Sequence, residues 1–141
     1  MTPTARPDIH KAGLFYLRNA RVLLCRNHKS PTLMLPGGKL EPGETPLEAL
    51  QRELAEELGG ATALNPQLLG AYDHPASEGF RSIRIELFTG ELSVEPVASA
   101  EIAELIWFGE HDDPAHLAPS LRHAIFIDLI ARRILPWSAM R

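Results

Sequence analysis

Three glutamates near the middle of this 141-residue chain, Glu53, Glu56 and Glu57, are the residues best suited by type and spacing to do chemistry. They lie in the run Arg52-Glu53-Leu54-Ala55-Glu56-Glu57-Leu58. At about 100° per residue, a helix gathers all three within an arc of about 100° on one flank. That grouping is electrostatically unfavourable: Glu53 and Glu57 are like charges at i,i+4, and all three stand toward the helix end where the macrodipole disfavours anions. Arg52 can pair with Glu56 at i,i+4, but one guanidinium does not neutralise three carboxylates. Hard divalent cations take oxygen-rich sites of this kind, so the segment reads as a seat for one or more Mg²⁺ ions. Taken alone, the acids also fit a solvated flank of an amphipathic helix, and it is their surroundings that favour the metal. Gly37-Gly38 upstream can bring backbone groups close to a ligand, and Glu44 adds a fourth carboxylate beside the same loop.

Such groups need a rigid support. Thr45 is an N-cap, Pro46 a first-turn proline, Glu48 completes a capping box and Gly59-Gly60 is a stop, so residues 46–58 form a helix. Leu47, Leu50, Leu54 and Leu58 make its buried stripe. Residues 12–17 and 21–25 read as strands of a first hairpin turning at Arg18-Asn19-Ala20. Residues 32–35 read as a third strand, ended by Pro36-Gly37-Gly38 and followed by a second break at Glu41-Pro42-Gly43. Residues 80–89 alternate as a strand until Gly90 turns the chain into Leu92 and Val94, and 105–108 add another. Ser120, after Pro119, caps a final helix to about residue 134. Strands mixed with two well-separated helices imply a sheet covered on both faces. Trp107 and Phe108 belong to its core.

The spacing Gly38, five residues, Glu44, seven residues, then Arg52-Glu53-Leu54-Ala55-Glu56-Glu57-Leu58-Gly59 resembles the Nudix (MutT-type) signature. It departs only at Gly60, where the family prefers an aliphatic residue. Seven fixed positions at ordinary residue frequencies match by accident at roughly one start in 10⁸. Leu35-Pro36-Gly37-Gly38-Lys39, and Ser99-Ala100-Glu101-Ile102-Ala103-Glu104 before Trp107, are also similar to bacterial members. The resemblance implies an α/β fold, a Nudix-type α/β/α sandwich with a mixed β-sheet between helices. It implies Mg²⁺-dependent hydrolysis of a pyrophosphate bond in a nucleoside diphosphate linked to another moiety, with Mn²⁺ able to substitute. Glu56 and Glu57 would be metal ligands, joined by a backbone carbonyl near Gly37 or Gly38. Glu53 would orient or deprotonate the attacking water at the metal site, and Arg52 would hold a catalytic carboxylate. Glu44 either supports the metal or braces the loop. Glu101 is a candidate metal ligand or base from a loop distant in sequence, ahead of Glu104. Lys39, Arg81 and Arg84 are candidate phosphate contacts. The substrate class stays open among nucleoside triphosphates, ADP-ribose and related nucleotides. A nucleotide-binding sensor of the same fold without turnover is the alternative, disfavoured by the intact glutamates.

Composition sets the outer limits. At 45% hydrophobic and 23% charged residues the chain is an ordinary globular protein, and its length suits a single domain over 1–141 with a loose start at 1–9. A formal charge of -4 provides no global field for long nucleic acid, so an anionic substrate must be met locally. Cys25, the only cysteine, sits in an apolar run and reads as buried packing. The six histidines have no tight metal-ligand spacing, leaving His28 and His74 as loop contacts. With no membrane-length apolar run and no signal segment, the expected address is the cytoplasm. The final helix has apolar residues on more than one side, among them Ile125, Phe126, Leu129, Ile130 and Ile134. They are enough to serve both the core and a homodimer interface.

Overall fold

Successive residues of a strand point to opposite faces, so four consecutive apolar residues, Val22 to Cys25, require cover on both sides. In the computed structural model, which describes residues 8–75 and 82–140, the run divides accordingly. Val22 and Leu24 enter one core cluster and Leu23 and Cys25 the other, all four at most 1% exposed. Helix α1 (Pro46–Glu57) covers one face through Ala49, Leu50, Leu54 and Leu58. Leu121, Ile125, Phe126 and Leu129 of a C-terminal helical segment cover the other. Cys25 is a free, buried thiol whose pKa is pushed up by burial and then by the charges of Glu57 and Glu101.

Among the described residues, eight strands form two four-stranded sheets. The first is mixed, in the order β5 (Gly37–Lys39), β1 (Ile9–Phe15), β7 (Ser82–Leu92) and β6 (Ala63–Pro75). β1 runs parallel to β7 and antiparallel to β5. The second is antiparallel, with β3 (Arg21–Asn27) pairing β2 (Leu17–Arg18), β4 (Leu33–Met34) and β8 (Ile102–Phe108). A mixed sheet between helices is the α/β architecture the sequence implies.

Several local expectations change. β1 begins at Ile9, which pairs with Ile83; the rest of the expected loose start, before Asp8, lies outside the described residues. Residues 12–17 are not one arm of a hairpin: β1 joins the first sheet, and only β2 folds back on β3. The two turn residues, Asn19 and Ala20, have φ of 53° and 60°, the left-handed geometry of a two-residue hairpin turn. β7 runs through Gly90 to Leu92 instead of ending there, and β8 begins at Ile102, earlier than expected. β6 was not foreseen. Leu47 is 37% exposed, and Ala49 takes its place in the core. Ser120 makes no capping hydrogen bond, and a π-helical turn, Leu121–Ile125, precedes α2 (Phe126–Ala131). Ile125, Phe126 and Leu129 are all buried in the protein's own core, leaving Ile127 as the exposed large apolar residue of that helix. Phe108 is in the core, whereas Trp107 is half-buried, packed on Tyr16 and under the guanidinium of Arg18. No helix among the described residues is long and apolar enough to cross a membrane.

Candidate active site

The start of α1 is fixed by a complete capping box: Glu48 N–H donates to the Thr45 hydroxyl at 3.1 Å and Thr45 N–H to the Glu48 carboxylate at 2.9 Å. Leu50, Leu54 and Leu58 then seat the helix on the sheet and set its rotation. That rotation turns Glu53 and Glu57, one turn apart, toward β5. The Gly37 N–H donates to Glu57 Oε1 at 2.9 Å, and Glu57 is only 6% exposed. At Gly38 a Cβ would stand 2.5 Å from the Glu53 carboxyl carbon, so any larger residue would push that carboxylate from its place. Glu101 arrives from the loop before β8. The loop is tied down by the Ser99 N–H donating to the Glu57 carbonyl and the His28 N–H donating to the Glu101 carbonyl, both at 3.0 Å. His28 thus serves through its backbone. Carboxylate oxygens of Glu53, Glu57 and Glu101 all lie within 4.8 Å of one another.

Arg52 closes the outer side of this cluster. Its Nε and Nη2 donate to the two oxygens of Glu44 at 2.7 and 2.9 Å. Its Nη1 reaches Glu53 at 2.7 Å, and Nη2 also reaches the Lys39 carbonyl at 3.0 Å. The anticipated partner Glu56 is 3.9 Å away and exposed, outside the three-carboxylate cluster. Glu44 therefore braces Arg52. Arg52, with the Glu41 N–H, holds the Glu44 carboxyl down to about 2. Glu57 goes the opposite way, pushed up to about 8, chiefly by burial and further by Glu53 and Glu101, against the Gly37 hydrogen bond. Burial also raises Glu53 despite its contact with Arg52. Three converging carboxylates, one of them buried with a single backbone donor, fit a hard divalent cation. Glu104 is elsewhere, paired with Arg26 at 2.7 Å.

The substrate candidates fare unevenly. Lys39 is exposed on β5, whereas Arg84 is engaged by both oxygens of Asp73 at 2.9 and 3.0 Å and is not free to take a phosphate. Arg81 lies outside the described residues. The His74 ring reaches the adjacent Pro75 carbonyl at 2.8 Å. A cavity of about 550 Å³ opens beside the cluster. Ile9, Ile83 and Ile85 line it with Lys11, Thr32 and Ser120, and Gly37-Gly38 border it as well. Those two glycines are therefore the wall shared by cavity and carboxylates. Lys11 was missed in the sequence; the available signal was a charged residue on the inward side of β1, between Ile9 and Gly13.

The sequence model of the NUDIX domain matches residues 9–126. A protein of Bacillus subtilis (strain 168), whose name proposes an 8-oxo-dGTP diphosphatase, is 30% identical over 105 residues, 74% of this chain and 68% of that one. The 8-oxo-dGTP diphosphatase of Escherichia coli (strain K12) is 41% identical over 51 residues, covering 33% of this chain and 40% of that one. The crystal structure of a MutT NUDIX hydrolase from Burkholderia pseudomallei has a TM-score of 0.70 and 26% identity, covering 96% of this chain and 100% of that one. With the domain matched from β1 into α2, and Glu53 and Glu57 of its signature gathered beside a glycine strand, the chain belongs to the NUDIX family of MutT-like pyrophosphohydrolases.

Proposed function

We propose that this protein hydrolyses an oxidised purine nucleoside triphosphate of the 8-oxo-dGTP type to the monophosphate and pyrophosphate, using Mg²⁺, with residues 1–141 acting as one domain in the cytoplasm. The observation that carries this reading is the shared wall: Gly37-Gly38 separates a nucleoside-sized cavity from Glu53, Glu57 and Glu101. A base held in the cavity would lay its phosphate chain across the glycines toward the carboxylates. The relatives named for 8-oxo-dGTP support the choice of nucleotide.

Glu57, Glu53 and Glu101 would hold the metal, with Glu56 and the Gly38 carbonyl completing the set. When bound there, Mg²⁺ supplies charge neutralisation at the phosphoryl oxygens. Glu53 orients the attacking water and takes its proton, a role suited to a carboxylate whose proton affinity is raised by burial. Arg52 keeps Glu53 in position and Glu44 keeps Arg52 in position. Turnover of 8-oxo-dGTP, dGTP, other nucleoside triphosphates, ADP-ribose, nucleotide sugars and dinucleoside polyphosphates, each with Mg²⁺ or EDTA and with Glu57→Gln as control, tests this reading. Metal-dependent release of the monophosphate, with 8-oxo-dGTP the best substrate, is expected. A preference for ADP-ribose or a nucleotide sugar would overturn the assigned substrate, and nucleotide binding without turnover would favour a sensor.

A further inference from the structure

Among the described residues, the cavity lining contains one lysine without a hydrogen-bond or ion-pair partner. Lys11 lies in β1 on the side that faces the cavity, with Ile9 and Gly13, and is only partly exposed. Among the described residues its ammonium makes no hydrogen bond and no ion pair within 4.0 Å. Directly opposite on β5 stands Lys39, whose ammonium is also unpaired among the described residues, and like charges facing each other on neighbouring strands repel. Burial and Lys39 both lower the proton affinity of Lys11, only partly offset by the charges of Glu57 and Glu53. Those carboxylates have commitments of their own, to the Gly37 N–H and to Arg52. Two facing lysines with nothing between them are a costly use of an edge strand unless an anion arrives.

We propose that Lys11, with Lys39 opposite, binds the non-bridging oxygens of the substrate phosphate nearest the nucleoside. The inference rests on the proposed reading of this site as a nucleotide pocket. Lys11 stands between the isoleucines suited to a base and the Gly37-Gly38 wall that borders the carboxylates, where that phosphate must pass. A phosphate there answers both ammonium groups and removes their mutual repulsion. Lysine suits the task as a compact point charge on a flexible stem that approaches a phosphate from any side.

The test is calorimetric titration of deoxyguanosine 5′-monophosphate, inorganic pyrophosphate and Mg²⁺ alone into the wild type, Lys11→Met and Lys11→Arg. Lys11→Met should weaken monophosphate binding in the presence of Mg²⁺ by about 10- to 100-fold, the loss expected for one charge-assisted contact. Pyrophosphate should weaken less, Mg²⁺ affinity should hold, and Lys11→Arg should recover most of the loss. Should Lys11→Met melt early, Lys11→Gln carries the same expectation. Unchanged monophosphate binding in the folded variant, an equal loss of Mg²⁺ affinity, or a wild type that binds neither ligand would overturn the proposal. A wild type that binds the monophosphate through Lys11 but turns over no triphosphate would overturn the proposed reaction and leave this contact standing.

Discussion

Glu44 and Glu57 are the same residue type at one site, yet their surroundings push them in opposite directions. Glu44 accepts two hydrogen bonds from Arg52 and one from the Glu41 N–H, and its carboxyl is held near 2. Glu57 has one backbone donor and two carboxylate neighbours, and its carboxyl rises to about 8. The first is a closed pair whose charge is balanced within the protein. The second is a carboxyl whose ionised form asks for a cation from outside. Residue type does not separate these roles; the number of donors each carboxylate finds does.

The contrast is most directly attacked at Glu53, which belongs to both groups by touching Arg52 and lying beside Glu57. Glu53→Gln should lower turnover by about 10²- to 10⁴-fold, the usual weight of a general base, with little change in melting temperature. Steady-state kinetics read beside circular dichroism check this, and activity within a few fold of wild type would remove Glu53 from the proposed role. Arg52→Gln attacks the closed pair and should cost about 10- to 100-fold in turnover, as expected for a group acting through the ligand it orients. Arg52→Lys should restore little of it, because an ammonium cannot span both oxygens of Glu44 and still reach Glu53.

The two carboxyls also predict opposite pH behaviour. In the metal-free protein Glu57 stays protonated up to about 8, above the ordinary carboxylate range. The folded state therefore binds the extra proton, and the Glu57 contribution to stability is full at acid pH and lost as pH rises toward 8. Mg²⁺ binding at pH 7 should expel up to about one proton, fewer at pH 9, and Glu57→Gln should abolish the release. Calorimetry in buffers of different ionisation enthalpy measures it; proton-free binding in the wild type would contradict the assignment. For Glu44 the sign reverses: its contribution is present above the ordinary carboxylate pKa and is lost as pH falls toward 2. The smallest effect concerns the support both share. Thr45→Ala should reduce stability by about 1 kcal/mol through loss of the cap, leaving turnover nearly unchanged.

The sequence was most legible where local chemistry is self-contained. The start of α1 needs only Thr45, Pro46 and Glu48, and it folds as read. Glu53 and Glu57 follow from helical spacing, but Glu56 shares that flank and still stands in solvent, because Glu57 is drawn inward by the Gly37 N–H. β5 was unreadable because two of its three residues are glycines, which carry no pattern. β6 was hidden for another reason: its ladder shifts register between Leu64 and Gln67 and again between Leu68 and Gly70, so no alternation survives. Arg84 was a reasonable phosphate contact until Asp73, on the unrecognised strand, occupied it. Lys11 escaped notice because its partner across the sheet, Lys39, belongs to the glycine strand.

The burial of Cys25 gives this protein a built-in stopwatch. With its sulfur enclosed and its thiol pKa raised, the folded chain presents almost no thiolate, so alkylating reagents should react only with molecules that have opened. Because the same residue packs among the leucines that seat α1, its labelling rate would report the lifetime of the support beneath the glutamates.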